Sequence, residues 1–225
     1  MIRLVAVVDD GPAAARALFD LTDRDLVIVG RDPATCLGLQ WPEPPPEPDG
    51  AALRQFNGLI QALMDTCTVL PFRFWAAAQQ TQKIDRWLSE QSARLVALMG
   101  RVRGRVELAV RASVESAGSA APAGSGRAYL EGLRRSQQAH PALLGMHSAL
   151  AGVSADARVL SADGARLAAA YLVDAGRVPG FCRAVDAAAG ASPGVCRRTV
   201  TGPWAPYSFV DLPDGVVEPG RRGRG

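Results

Sequence analysis

Residues Arg103–Ala112 read Arg-Gly-Arg-Val-Glu-Leu-Ala-Val-Arg-Ala, an alternation of apolar and charged side chains. Every second residue of Val106–Ala112 is apolar, so these side chains would share one face of a β-strand. Arg105, Glu107 and Arg111 would lie on the other face, in solvent. One buried and one wet face are typical of antiparallel sheets. The pattern therefore predicts an antiparallel sheet in the C-terminal half.

The elements predicted on either side complete a recognisable order. Strand, helix, strand, strand, helix, strand is the βαββαβ order of the ferredoxin-like fold, an antiparallel sheet with both helices on one face. The sequence thus predicts an α+β protein whose C-terminal domain, residues 101–212, is ferredoxin-like. Its further elements are helix Arg127–Ala139, continued after Pro141 over Ala142–Leu150, strands Ala157–Ser161 and Arg166–Val173 around an Asp-Gly turn, helix Pro179–Ala189 and strand Gly194–Thr201.

The first hundred residues predict a separate mixed α/β domain, residues 1–100. Apolar runs and three- or four-residue periodicity alternate along it, and Pro71 indicates an edge or a bulge in its third strand. Residues beyond Gly30 are expected to form a loop that leads into a proline-rich connector at 41–50, and residues 213–225 a flexible basic tail. The predicted strands are Ile2–Val8, Asp25–Gly30 and Val69–Phe74, and the predicted helices Ala13–Leu21, Ala51–Thr66 and Gln82–Met99.

Composition agrees with two globular domains. The chain has 225 residues, 48% of them apolar and 21% charged, which excludes wholesale disorder. The net charge is +3, and Lys83 is the only lysine. Arg101, Arg103 and Arg105 are predicted to alternate on one strand face. Since no aromatic residues accompany them, they indicate a solvated face rather than a nucleic-acid site.

The cysteines and the N-terminus bear on the compartment. Cys36, Cys67, Cys182 and Cys196 are far apart and form no Cys-x-x-Cys pair. The N-terminal apolar run ends in acids too early for a signal peptide, and no run approaches the roughly 20 apolar residues that span a bilayer. We therefore expect a cytosolic protein with reduced, mostly buried thiols and no membrane partner.

Catalytic patterns are absent from the sequence. His140 and His147 have no cysteine or paired carboxylate nearby, so both are interpreted as surface or helix-packing residues. Asp9 and Asp10 end a strand without a partner cluster, which favours a turn over a metal site. The sequence therefore predicts a protein that is not an enzyme, with no cofactor, no metal and no small-molecule substrate.

Near the C-terminus, residues Thr201–Val210 read Thr-Gly-Pro-Trp-Ala-Pro-Tyr-Ser-Phe-Val. Two prolines stiffen this aromatic tail, and its three aromatic side chains, Trp204, Tyr207 and Phe209, must lie against something. Two roles remain open at this point. The aromatic residues could close the core of the C-terminal domain, or they could face a partner.

This decapeptide strongly resembles the terminal signature of the gas vesicle protein F/L family, with Ala205 in place of a proline. Other segments match the family in the right order. The family often has a histidine where Phe56-Asn57 stands and a glycine where Trp75 stands. The matching segments are Val69–Phe74, Gly104–Val110, Gly126–Leu130 and Ala170–Val173.

The resemblance implies a non-enzymatic gas vesicle protein, a minor structural component or an assembly factor. It implies binding to the small hydrophobic shell protein and to other accessory vesicle proteins, and a place in the vesicle, on the gas-facing side of the shell. The family fold has two domains, an N-terminal α/β unit and a C-terminal ferredoxin-like unit. The candidate protein-binding residues are Trp204, Tyr207, Phe209, Phe72, Arg73 and Phe74; the alternative is that both motifs are buried and hold the two domains together.

Two other functions can be stated from the fold class. A small-molecule-binding regulatory module on a ferredoxin-like fold would need an enclosed polar pocket. RNA binding through the sheet would need exposed aromatic residues on the central strands, where Leu108, Val110 and Leu172 stand instead.

Overall fold

A computed structural model describes residues 1–19, 21–31, 33–41, 49–114 and 141–212. The chain divides into two compact units, Met1–Gly104 with Ala205–Gly225, and Arg105–Trp204. Each contains one antiparallel sheet with helices, so the α+β class is confirmed. The first unit includes the segment from Ala205 onward, whereas the sequence suggested one C-terminal domain running to residue 212. In the part of the chain described, no helix is long and apolar enough to cross a membrane.

The first unit is built on a five-stranded sheet. Its strands follow the order β2-β3-β1-β4, and β5 pairs with β1. All the pairings are antiparallel. The strands are β1 (Ile2–Val8), β2 (Leu26–Arg31), β3 (Ala34–Gln40), β4 (Val69–Pro71) and β5 (Ala77–Ala78), and the helices are α1 (Gly11–Phe19), α2 (Gly50–Met64) and α3 (Thr81–Val102).

Helices cover both faces of this sheet. Residues of α1 and α2 join β1, β3 and β4 in one apolar cluster. Helix α3 contacts β2, β3 and β4 but contributes nothing to that cluster, so it covers the opposite face. Strands β1 and β3 are therefore buried on both sides, which is why β1 is apolar throughout except for Arg3.

Strand β3 contradicts the expected loop after Gly30. Residues Ala34–Gln40 lie between β1 and β2, and five of the seven are buried. A Cβ added at Gly38 would lie 2.6 Å from Cγ2 of Ile2. Glycine at 38 therefore permits close packing against β1, and it does not mark a turn.

Strand β4 is shorter than predicted and ends at Pro71 rather than Phe74. It lies at the end of the strand order, where Pro71 pairs with Ala6. The predicted edge is thus present, because a proline is tolerated where no neighbouring strand needs its missing N–H.

The join between the units differs from the prediction. Helix α3 continues to Val102, and the N–H of its C-cap residue Arg103 donates to the Met99 carbonyl at 2.9 Å. Gly104 follows with φ 67°, the left-handed conformation that ends many helices. Arg101 and Arg103 are therefore not on a strand face, and that prediction is wrong.

Asp9 accounts for the position of Arg103. Its carboxylate pairs with Nη2 of Arg103 at 3.1 Å and accepts from the Thr68 N–H at 2.8 Å. The carboxylate thus joins the end of β1 to the start of β4 and to the end of α3. This supports the structural interpretation of Asp9.

The second unit has a four-stranded sheet in the order β7-β8-β6-β9, with antiparallel pairing throughout. The predicted helix Arg127–Ala139, most of the predicted loop before it, most of the proline-rich connector and the basic tail lie outside the described residues. The elements are β6 (Arg105–Val114), α4 (141–151), β7 (Asp156–Ala162), β8 (Arg166–Asp174), a 3-10 turn (Ala175–Arg177), α5 (Val178–Ala191) and β9 (Val195–Trp204).

One face of the second sheet carries the core of this unit. Alternate residues of β6 and β8 pack against α4 and α5. Among them, the Tyr171 hydroxyl lies 2.8 Å from Nδ1 of His147, and burial raises the pKa of Tyr171 above its usual range. His147 is thus a helix-packing residue, while His140 lies outside the described residues.

On the opposite face, the described residues at one end are buried. Ala170 and Leu172 are fully buried, and Glu107, expected in solvent, is 6% exposed, so that expectation is wrong. Arg111, farther along the same face of β6, is exposed as expected. Alternation correctly placed these side chains on one face, but it could not tell how much of the face is covered.

The four thiols differ in burial. Cys36 is buried, Cys67 and Cys182 are half-buried, and Cys196 is exposed. Burial raises the pKa of Cys36 to about 12 and that of Cys67 to about 11. Because the thiolate is the reactive form, we expect iodoacetamide at pH 8 to alkylate Cys196 first and Cys36 last. Mass spectrometry of timed digests measures the order; early labelling of Cys36 in the folded protein would contradict it.

Candidate functional site

The candidate protein-binding feature of the first unit is the segment Phe72–Ala76, called here the 72–76 turn. It lies along β1, since the Phe72 N–H donates to the Val5 carbonyl at 3.0 Å and the Leu4 N–H to the Ala76 carbonyl at 2.8 Å. Its side chains alternate, with three directed inward and two outward. The inward ones are Phe72, Phe74 and Ala76, and the outward ones Arg73 and Trp75.

The inward aromatic rings anchor the turn. The Phe72 ring lies 5.7 Å from that of Trp87 on α3, and the Phe74 ring meets Phe56 on α2 edge-to-face at 5.4 Å. Such contacts add to the free energy gained by burying the rings. The turn is therefore held from both faces of the sheet.

A buried arginine strengthens this anchoring. Arg3 is 5% exposed, and its guanidinium lies 3.6 Å from the Phe74 ring centroid and 5.0 Å from that of Phe56. Its Nε donates to the Phe74 carbonyl at 3.0 Å, whereas Nη2 has no hydrogen-bond partner among the described residues. Burial, and then the charge of Arg24, lower the pKa of Arg3. The Phe56 ring thus covers a cation.

The outward side chains have the character of binding residues. Trp75 is 58% exposed, and its ring meets that of Phe74 edge-to-face at 6.1 Å. Arg73 is exposed two positions earlier. Tryptophan and arginine are enriched among the residues that contribute most to binding energy. Because the buried rings hold the backbone of the turn in place, less conformational entropy is lost on binding.

The terminal aromatic motif is mostly internal to the first unit. Ala205 is 1% exposed and Phe209 is fully buried, while Tyr207 is half-buried. The N–H groups of Phe209 and Val210 both donate to the Pro206 carbonyl at 3.0 Å, so the segment forms a compact turn.

A side chain from α3 holds the end of this turn. Nη2 of Arg94 donates to the Asp211 carbonyl at 2.6 Å and lies 3.8 Å from the Asp211 carboxylate. Both residues belong to the first unit. Trp204 is different, because it ends β9 in the second unit, is 39% exposed, and its Nε1 donates to Oγ1 of Thr201 at 3.4 Å.

The six residues predicted to bind a partner therefore separate by burial. Phe72, Phe74 and Phe209 are interior and have packing roles, Arg73 and Trp204 are exposed, and Tyr207 is intermediate. Sequence reasoning did not propose Trp75 as a contact. Two signals for Trp75 were available in the sequence. Trp75 continues the alternation of inward and outward side chains that begins at Phe72, and it stands where the resemblance led us to expect a glycine.

Sites for other chemistry are poorly supported. Within the described ranges, no three His, Cys, Asp or Glu side chains are grouped to hold a metal ion. A groove of about 510 Å³ lies between α5 and β9. Five of its seven lining residues are exposed, so the groove is not the enclosed pocket that a metabolite-binding module needs.

Comparison with known proteins gives concordant matches. The sequence profile described as "Gas vesicle synthesis protein GvpL/GvpF" matches residues 5–211. Gas vesicle protein L of Streptomyces sp. (strain CB03234) is 32% identical over an alignment of 192 residues, and the match covers 74% of this chain and 71% of that protein.

Solved structures share the fold at low sequence identity. The crystal structure of GvpF from Anabaena sp. PCC7120 matches with a TM-score of 0.74 at 15% identity, covering 94% of this chain and 96% of that one. GvpF from Microcystis aeruginosa matches with a TM-score of 0.69 at 15% identity, covering 94% and 99%. With the profile spanning nearly the whole chain and a relative at 32% identity, the chain belongs to the gas vesicle synthesis protein GvpL/GvpF family.

Proposed function

We propose that this protein is a non-enzymatic gas vesicle component or assembly factor that binds the small hydrophobic shell protein. Family membership supports the vesicle role. The observation that carries the binding role is the 72–76 turn, where Trp75 stands 58% exposed on a segment anchored by buried rings. Other accessory vesicle proteins are further proposed partners, and the resemblance suggests a location on the gas-facing side of the shell.

The physical reason for such a factor lies in the shell subunit. A small, strongly apolar protein aggregates before it is polymerised unless its apolar surface is covered. Trp75 offers apolar area for that purpose, and Arg73 beside it can pair with carboxylates or backbone carbonyls at the rim. Trp204 is proposed as a separate contact on the second unit, because it is the exposed aromatic residue of the terminal motif.

We also propose that the two units are the functional domains and that the second is ferredoxin-like. Its strand order β7-β8-β6-β9 and the packing of α4 and α5 against one sheet face support this assignment. The competing role, a metabolite-binding module, has less support, because the groove between α5 and β9 is lined mainly by exposed side chains.

Co-expression with the shell protein tests the binding role. We expect Trp75→Ala to reduce the captured shell protein at least about tenfold, since an exposed tryptophan anchor typically dominates an interface. Quantitative blotting after affinity capture measures the ratio. Phe19→Ala is the matched control, because Phe19 is 79% exposed in the same unit but far from the turn in sequence.

Each outcome of this experiment is informative. Unchanged capture by Trp75→Ala would show that the turn is not the contact. Equal losses in both variants would indicate that binding follows total exposed aromatic area, with no specific site. Circular dichroism confirms that the variants are folded before capture is compared.

A further inference from the structure

The second unit has a strongly basic surface that the shell-binding proposal does not use. Three arginines, Arg111 on β6, Arg166 on β8 and Arg197 on β9, are exposed. They are called here the arginine face. Its position follows from the register of the sheet and from the side on which the helices pack.

The register places the three side chains on one side. Arg111 pairs with Ala168 of β8 and Thr199 of β9. Ser113 pairs with both Arg166 and Arg197. Paired residues of antiparallel strands point to the same face, and residues two apart on a strand do so as well.

The helices pack on the other side of the sheet. The core against α4 and α5 takes the intervening residues of β6, such as Val110 and Ala112, and those of β8, such as Leu167 and Ala169. Arg111 and Arg166 therefore point away from the helices, as does Arg197 through its pairing with Ser113. The side chains in the two rows that hold the arginines are small, so the surface is flat; they are Ala168, Ser113 and Thr199.

Within the described ranges, the side chains of the arginine face have no acidic partner. Among the described residues, no ion pair involves the side chain of Arg111, Arg166 or Arg197, and the two register rows that contain them hold no acidic residue. Two other arginines of this unit are paired: Arg105 lies 3.1 Å from Asp174 and Arg198 lies 2.7 Å from Asp186. Three arginines without an ion pair in the described part of the chain thus share one surface, where they repel each other unless anions bind.

We propose that the arginine face binds an acidic segment of a partner protein. Guanidinium groups bind carboxylates in a bidentate manner, and strands about 4.8 Å apart put Arg166 and Arg197 roughly 10 Å from each other at the backbone. Arg111 lies on the strand between them, two residues along. This triangle suits several carboxylates of one acidic segment.

A nucleic acid fits this surface less well. Single-stranded RNA or DNA is generally bound by aromatic side chains that stack on bases, and the two rows contain none. The inference is independent of shell binding, since it concerns a different unit and an acidic partner instead of an apolar one.

Binding of poly-L-glutamate to the full chain tests the proposal. We expect the triple variant R111A/R166A/R197A to bind about tenfold more weakly than wild type at moderate salt, since each exposed charge pair contributes modestly. The control R16A/R86A/R183A removes the same charge from exposed positions elsewhere and is expected to retain most of the affinity. Fluorescence anisotropy of labelled polyglutamate measures both.

Three results would overturn the proposal. One is no binding of polyglutamate by the wild type, and another is an equal loss in the two triple variants, which would indicate a net-charge effect. The third is tighter binding of single-stranded RNA or of phosphatidylserine vesicles that is lost only in R111A/R166A/R197A, which would assign the face to that ligand. The capture of shell protein is measured in parallel. If the arginine face does not bind polyglutamate, the capture result still decides the role of Trp75 independently.

Discussion

Replacing Phe209 with alanine is expected to lower the free energy of unfolding by about 3–5 kcal/mol, the usual cost of removing a fully buried phenylalanine. The Phe209 ring has no exposed surface. It belongs to the terminal motif, for which the sequence left both a buried role and a partner-facing role open. The backbone around it is fixed by the bonds to the Pro206 carbonyl and by Arg94 on Asp211, so the cavity cannot close easily. Urea unfolding followed by circular dichroism measures the change.

Trp204→Ala is the matched comparison from the same motif. Trp204 is 39% exposed, so its loss is expected to cost at most about 1–2 kcal/mol, because part of the ring is already in water. Similar costs for Phe209→Ala and Trp204→Ala would contradict the interior position of Phe209. A folded Trp204→Ala protein that loses shell binding would support a surface role for Trp204, and an unfolded one would argue that its role is structural.

Gly202→Ala is the second substitution expected to have a large effect, about 2–5 kcal/mol from backbone strain and overpacking together. Gly202 has φ 124°, a backbone conformation that residues other than glycine rarely adopt. A Cβ there would lie 2.7 Å from the Glu107 carbonyl oxygen and 3.0 Å from Cδ2 of Leu108. The unfolding midpoint in urea should fall accordingly.

The backbone at Gly202 explains why relaxation is difficult. Glu107 pairs with Trp204 and Ala109 with Thr201, so β9 has a bulge opposite β6 at this point. Gly190→Ala in α5 is the control, because a Cβ there meets nothing within 4 Å. It should leave stability unchanged or raise it by up to about 1 kcal/mol. A cost for Gly202→Ala no larger than that of the control would contradict the described backbone.

Strand periodicity predicted much of this fold. The alternation in β6 and the Asp-Gly turn before β8 gave the second sheet, because each of these signals is local. Strand β3 was missed, because it is buried on both faces and contains a glycine required for packing against Ile2. Burial on both faces removes the alternation on which strand prediction depends.

The candidate site was predictable only in part. The inward and outward directions of Phe72, Arg73 and Phe74 followed from the spacing of the residues. The burial of Phe209 did not, because it depends on the chain joining the first unit after Ala205, which is a non-local packing choice. Glu107 was also misplaced: alternation put it in solvent, but it is 6% exposed.

Photo-cross-linking from position 75 tests the central claim most directly. Benzoylphenylalanine in place of Trp75 is co-expressed with the shell protein, irradiated, and analysed by mass spectrometry, with benzoylphenylalanine in place of Phe19 as the control. We predict cross-links to the shell protein from position 75 at a yield well above that from position 19. No cross-link from position 75 while soluble shell protein is present, or equal yields from both positions, would contradict binding through the 72–76 turn.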